Sequence, residues 1–131
     1  MQQILSYLNF ETSGEGFTDI THHINHWIKE NKLRKGILLI FLKHTSCSLI
    51  INENADINVL KDLSSYMKAI VPEEKLFHLD QSNKKVEYLH SDEGLDDMPA
   101  HIRTMLTANN LSFSVNESRL VLGQWQAIYL W

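Results

Sequence analysis

Apolar positions recur along the chain in two rhythms, one near 3.6 residues and one near two, and each rhythm predicts a different element. Ile20, Ile24, Trp27 and Ile28 fall on one stripe. That stripe predicts an amphipathic helix capped by Thr18 or Asp19 and running to about Leu33. Val59, Leu63, Tyr66 and Ile70 make a second helical row, widened by Leu60 and Met67, while Asn58, Lys61, Asp62 and Ser65 face away. Asn54 is the expected cap of this helix, which runs to about Ile70. A third helix start stands at Asp96-Asp97-Met98-Pro99, an acidic cap followed by proline in the first turn. Its expected buried stripe is Met98, Ile102, Met105 and Leu106.

Strand signals fill the spaces between. Met1 to Glu11 alternates in part and reads as a first strand, ended by Ser13-Gly14-Glu15-Gly16. Ile37 to Leu42 is continuously apolar, the pattern of a strand buried on both faces. A second strand follows at Ser48 to Asn52, and a short one is expected at Val86 to His90. Leu111 to Val115, Arg119 to Leu122 and Trp125 to Trp131, separated by Asn116-Glu117-Ser118 and by Gly123, predict a closing meander. Helices and strands do not alternate regularly, so the fold class is α+β. Residues 71 to 97 show little periodicity and much charge, a length of irregular chain that is often functional.

Composition sharpens this picture. The chain has 131 residues, 44% of them apolar and 21% charged, with only five Gly and two Pro, which fits one domain and excludes disorder. Twelve Lys and Arg against sixteen Asp and Glu give a formal charge of −4, and the basic residues are dispersed. No electrostatic footprint for nucleic acid results. The longest apolar run is strand-sized, so no membrane span is expected. One Cys closes no internal disulfide. With no leader-like segment after Met1, the expected compartment is reducing and cytoplasmic.

Seven His against one Cys make imidazole the chemistry to follow. In an extended His44-Thr45-Ser46-Cys47-Ser48 segment, His44 and Ser46 share a face and Cys47 points the other way, so Cys47 reads as a small core residue and not as a nucleophile. His90 ends a strand, and His101 lies in the first turn of its helix, where free N–H groups favour an anion such as phosphate. Neither spacing is a local metal motif, so a three-His site rests on the fold. His22, His23 and His26 lie off the apolar stripe of their helix and read as a solvated face. His78 carries no assignment. Glu53, at the junction of a strand and a helix, is a candidate acid or base, Asn54 needs only a capping role, and Asp62 lies on a polar helix face. Gly123 signals a bulge or close backbone approach, and Trp125, Tyr129 and Trp131 share a face as core or subunit interface.

Taken in order, His44-Thr45-Ser46, Ile51-Asn52-Glu53-Asn54-Ala55-Asp56, Asp62-Leu63, His90, Asp96-Asp97-Met98-Pro99-Ala100-His101-Ile102 and Leu122-Gly123-Gln124-Trp125-Gln126-Ala127-Ile128-Tyr129-Leu130 resemble the YjbQ-like, or secondary thiamine-phosphate synthase, family. The resemblance spans nearly the whole chain as one domain. It implies an α+β fold with a β-sandwich-like mixed sheet core and flanking helices, assembled as a homotrimer with sites near subunit contacts. It further implies weak thiamine-phosphate synthase activity, the coupling of a pyrimidine pyrophosphate to a thiazole phosphate. His44, His90 and His101 match its histidines and are the expected ligands of a divalent metal, zinc or magnesium. Glu53 and Asp62 are the expected catalytic carboxylates, and Ser46, Asn54, Asp97 and His101 the expected contacts to a small phosphorylated substrate. The chain departs from the family pattern at Ser118, where Gly is usual, and at Gln124, where Thr is usual. The family pattern also continues past Trp131 into one more segment. The rival expectations are a non-catalytic oligomeric binding or scaffold protein with a structural His cluster, and a metal-dependent phosphohydrolase.

Overall fold

The computed structural model describes residues 2–73, 76–77 and 85–131. In chain order its elements are β1 (Thr18–Asp19), α1 (Thr21–Glu30), β2 (Lys35–Phe41), β3 (Leu49–Glu53), α2 (Ile57–Ile70), β4 (Leu76–Phe77), β5 (Lys85–Val86), α3 (Asp97–Met105), β6 (Asn110–Asn116), β7 (Arg119–Leu120) and β8 (Gln126–Leu130). The α+β class is as expected. The mixed sheet is not: among the described residues every strand pairing is antiparallel. One sheet has the order β1-β8-β3, a second β2-β6-β7, and β4 with β5 forms a small hairpin.

Strand β8 organises the core. Ile128 and Leu130 point to one face, where they meet Ile24 and Ile28 of α1, Ile20 just before it, Phe113 and Val115 of β6, and Leu120 of β7. Ala127 and Tyr129 point to the other face and pack against Leu60 and Leu63 of α2 and against Phe17. Thus β8, flanked by β1 and β3, is the strand buried on both faces. The apolar run in β2 is not, and that expectation is corrected. Gly36, Leu38 and Ile40 turn inward, whereas Ile37, Leu39 and Phe41 are 82%, 63% and 61% exposed. Strand β2 is an edge strand, and among the described residues the Ile37, Leu39 and Phe41 side stays open.

Several local expectations also change. Residues 2–12 form no strand. Apolar Ile4 and Leu5, then Tyr7 and Leu8, stand side by side and so present no single face. The segment instead lies against the body through Phe10, edge-on to His23 at 5.3 Å, and Tyr7 beneath the Lys43 ammonium at 5.4 Å. Asp19 closes the start of α1 by accepting from the Thr21 N–H at 2.8 Å, and the helix ends at Glu30, short of Leu33. Asp56, not Asn54, caps α2, its carboxylate accepting from the Asn58 N–H at 2.8 Å. The Asn54 N–H is already committed to the Trp125 carbonyl at 3.0 Å. Tyr66 and Ile70 stay exposed because α2 meets the sheet only along Leu60 and Leu63.

Helix α3 buries Pro99 and Arg103, while Met105 and Leu106 of its expected stripe are exposed and its Asp96 cap makes no side-chain bond. The strand expected at Val86 to His90 ends at Val86, and His78 lies outside the described residues. The closing meander stops after the β6–β7 hairpin. A turn, closed by the Gln126 N–H to the Gly123 carbonyl at 3.0 Å, sends the chain into the other sheet as β8. No described helix is long and apolar enough to cross a membrane.

Candidate metal centre

Two segments that are far apart in sequence are held together by one end of the β8 sheet. The loop after β2 is pinned by Leu42, whose N–H donates to the Asn109 carbonyl at 2.8 Å. Further along, Ser48 and Trp131 exchange backbone hydrogen bonds at 2.6 and 2.9 Å. Ser48, 2% exposed, places its Oγ 2.5 Å from the Thr107 hydroxyl. Thr107 spends its only proton on the Arg103 carbonyl at 2.8 Å, so Ser48 donates to Thr107. These bonds fix residues 42–48 against the C-terminal end of α3.

On α3, Asp97 and His101 are one turn apart and share a face. His101 Nδ1 lies 3.3 Å from the Thr45 carbonyl. A carbonyl only accepts, so Nδ1 carries the proton, and in the neutral ring Nε2 keeps a free lone pair. That Nε2 is 3.6 Å from Asp97 Oδ1. His90 reaches the same carboxylate from the segment after β5, with Nε2 2.6 Å from Oδ2. Oδ2 is buried, and the His90 ring meets it at this short distance without the alignment of a hydrogen bond. The two imidazoles are tilted at 57° with centroids 5.5 Å apart. One ligand atom from each of His90, Asp97 and His101 lies within 4.8 Å of the other two.

The third expected histidine is placed differently. His44 sits on the loop that offers Thr45 to His101, but its Nδ1 accepts the Ser46 N–H at 3.1 Å and it stands outside the three-residue group. His44, Ser46 and Asp97 line one cavity of about 940 Å³. His101 lies in the second turn of α3, not the first, and its Nδ1 bonds the Thr45 carbonyl, so it is not set among the free N–H groups of the helix start. Glu53 and Asn54 are at the far end of β3, roughly 13 Å along the strand from Leu49 at 3.2–3.4 Å per residue. Glu53 lines a separate cleft, and Asp62 is exposed on α2. His22, His23 and His26 are exposed on α1 as expected, with His26 paired to Glu30 at 3.1 Å.

Sequence reasoning gave Asp97 a substrate role and passed over its ligand geometry, although Asp-x-x-x-His on a helix already puts both side chains on one face. It also missed Arg103. This guanidinium, 6% exposed, donates to the Val71 carbonyl at 2.9 Å and lies 3.8 Å from Glu15 and 3.7 Å from Glu73. It thereby ties α3, and with it Asp97 and His101, to two loops. Burial pushes the Cys47 thiol up, which leaves it in its unreactive form and agrees with a packing role.

The donor set suits a cation. Two imidazoles and a carboxylate are ligands of zinc and of other first-row metals, whereas magnesium prefers oxygen alone. The three ligand atoms converge because the Asp97 carboxylate faces a ring nitrogen of each histidine, with Oδ2 buried.

Comparison with known proteins places the chain. The family model described as UPF0047 protein YjbQ-like matches residues 6–131. The UPF0047 protein sll1880 of Synechocystis is 39% identical over 120 residues, covering 92% of this chain and 75% of that protein. YjbQ of Escherichia coli O157:H7 is 34% identical over 124 residues, covering 94% and 82%. Among solved structures, an uncharacterized YjbQ/UPF0047 protein from Clostridium acetobutylicum superimposes with a TM-score of 0.75 at 28% identity, covering 92% of this chain and 84% of that one. The conserved hypothetical protein TT1486 from Thermus thermophilus gives a TM-score of 0.68 at 30% identity, covering 88% and 79%. None of these names carries an activity. The chain belongs to the UPF0047 YjbQ-like family.

Proposed function

We propose that His90, Asp97 and His101 hold a divalent cation, zinc before magnesium on their ligand chemistry, and that this face handles a small phosphorylated substrate as a thiamine-phosphate synthase-like transferase. The observation that carries the reading is the Asp97 carboxylate set between two imidazoles, with Oδ2 buried beside His90 and Oδ1 facing His101. A bound cation supplies charge neutralisation to a phosphate or pyrophosphate oxygen. The Thr45 carbonyl holds the His101 ring in the tautomer that presents Nε2, and Arg103 holds α3 in place. His44 and Ser46, on the wall of the adjoining cavity, are the groups positioned to contact the substrate. Within one chain Glu53 lines a separate cleft at the far end of β3, and Asp62 is exposed on α2 outside the cavity that adjoins the three-residue group. A catalytic role for either requires a neighbouring subunit, and the uncovered Ile37, Leu39 and Phe41 face supports assembly, as a homotrimer. The single half-buried Cys47 supports a reducing, cytoplasmic setting.

The test is metal analysis of protein purified without a His tag, with turnover assayed on the thiamine precursors and on simple phosphate esters. About one zinc per chain is expected, lost in His90→Ala, Asp97→Asn and His101→Ala and kept in His44→Ala, which reduces turnover only. Equal metal content and activity in all four variants overturns the metal role. Faster hydrolysis of phosphate esters than coupling makes the protein a phosphohydrolase. One observation favours the non-catalytic rival: the His90–Asp97 contact also fastens the segment around residue 90 to α3. On that reading the same variants lose stability, and no substrate is turned over.

A further inference from the structure

Three of the seven histidines belong neither to the centre described above nor to the core: His22, His23 and His26 are exposed on α1. Their spacing divides them. His22 and His26 are four residues apart and are therefore neighbours on one face of the helix, whereas adjacent residues do not face each other. The rings follow this rule. Those of His22 and His26 lie parallel, at 5° with centroids 6.4 Å apart. His23 stands at 87° to His22 and sits edge-on to Phe10 at 5.3 Å.

A third residue of the same row orients the pair. His26 Nε2 lies 3.1 Å from Glu30 Oε1, one further turn along. A carboxylate only accepts, so Nε2 carries the proton, and the neutral His26 ring presents Nδ1 as its lone pair. An outer carboxylate that fixes the tautomer of an imidazole is the usual support of a metal-bound histidine. The spacing His-x-x-x-His is also the one by which a helix offers two imidazoles to one zinc ion. Metal–nitrogen bonds are about 2.0–2.1 Å, so the two parallel rings tilt toward each other to share an ion. Both side chains are exposed and turn about their own torsions, with no movement of the backbone.

We infer that His22 and His26 chelate a late first-row divalent metal ion, the class that imidazole prefers and that includes zinc, nickel and copper. Water completes the coordination, and Glu30 acts as a positioning residue through His26. With two protein ligands and open solvent, the ion is held more weakly than at a three-ligand centre and leaves on dialysis. It joins the first turn of α1 to the second, so the loaded chain melts at a higher temperature. The assignment does not rest on the centre formed by His90, Asp97 and His101.

The test is zinc titration of the full chain, purified without a His tag and stripped with a chelator, followed by calorimetry and by the imidazole Hε1 resonances. A saturable equivalent of zinc is expected that moves the His22 and His26 signals and leaves that of His23 nearly in place. His22→Ala and His26→Ala each remove this equivalent, whereas the equally exposed His23→Ala keeps it. Glu30→Ala weakens it about tenfold, the effect of losing an outer partner, and Glu30→Gln, which still accepts from Nε2, restores most of the affinity. His90→Ala leaves it unchanged, which separates this site from the other centre. In that variant zinc still raises the melting temperature, and adding His26→Ala abolishes the rise; should His90→Ala not fold, the titrations of the native chain and the α1 variants decide alone. Zinc binding that leaves the His22 and His26 signals unmoved, a weak equivalent that survives either substitution, or an equal loss in His23→Ala overturns the proposal, as does the absence of any saturable equivalent that depends on this pair.

Discussion

Ser118 shows how one residue records a local cost. It and Glu117 form the tip of the β6–β7 hairpin with φ of +58° and +51°, both in the left-handed region. A two-residue hairpin needs this conformation because its twist then matches that of the strands. A side chain there costs about 1–2 kcal/mol, which glycine avoids. Ser118 was legible beforehand as a departure from the family pattern, but the reason became visible only with the dihedral angle. Ser118→Gly is expected to stabilise the protein by about 1 kcal/mol and raise the melting temperature by about 4 °C, checked by calorimetry on both proteins. A fall in melting temperature would show that the serine makes a contact worth more than the strain.

Strand β8 carries the corresponding argument for elements. Its last four residues are buried because sheet neighbours flank both edges and α1 and α2 cover both faces. Tyr129 is the one titratable group among them, and its hydroxyl donates to the Glu53 carbonyl at 3.1 Å. Burial, then the charges of Asp19 and Glu53, push its phenol above the ordinary tyrosine range. A folded value above the unfolded one means that stability is fully present below about pH 10 and is lost as pH rises through the folded value. Thermal melts across that window are expected to fall more steeply for the native chain than for Tyr129→Phe, whose own cost near neutrality is about 1 kcal/mol from the lost hydrogen bond. Parallel curves for the two proteins would remove Tyr129 from the alkaline transition. The apolar run in β2 and the doubly buried β8 also show why strand patterns mislead. Periodicity reports which residues are apolar, whereas burial depends on whether each face of the sheet is covered: central β6 alternates in exposure just as edge β2 does.

At the scale of the molecule, the exposed row of Ile37, Leu39 and Phe41 on β2 is the feature a single chain leaves unresolved by its own packing. Leu39→Lys is expected to shift the solution mass, measured by light scattering, from three chains to one while the far-ultraviolet circular dichroism stays unchanged. Burying one leucine is worth about 1.5–3 kcal/mol, and each subunit contact of a trimer would lose it. A native chain that is already monomeric overturns the assembly. The sequence by itself determined the α+β class, all three helices to within a few residues, and strands β2, β3, β6, β7 and β8. Helical stripes, caps and turn residues are local, and each acts within a few residues of itself. It also singled out His90, Asp97 and His101, although not as one group. Only the tertiary structure decided that Asp97 stands between the two imidazoles, that Thr45 sets the His101 tautomer, and that Glu53 belongs to a different cleft with Trp125. The Thr45–His101 and Glu53–Trp125 relations join residues tens of positions apart, and they are fixed by the register of β3 against β8 and the docking of α3, which no local pattern encodes.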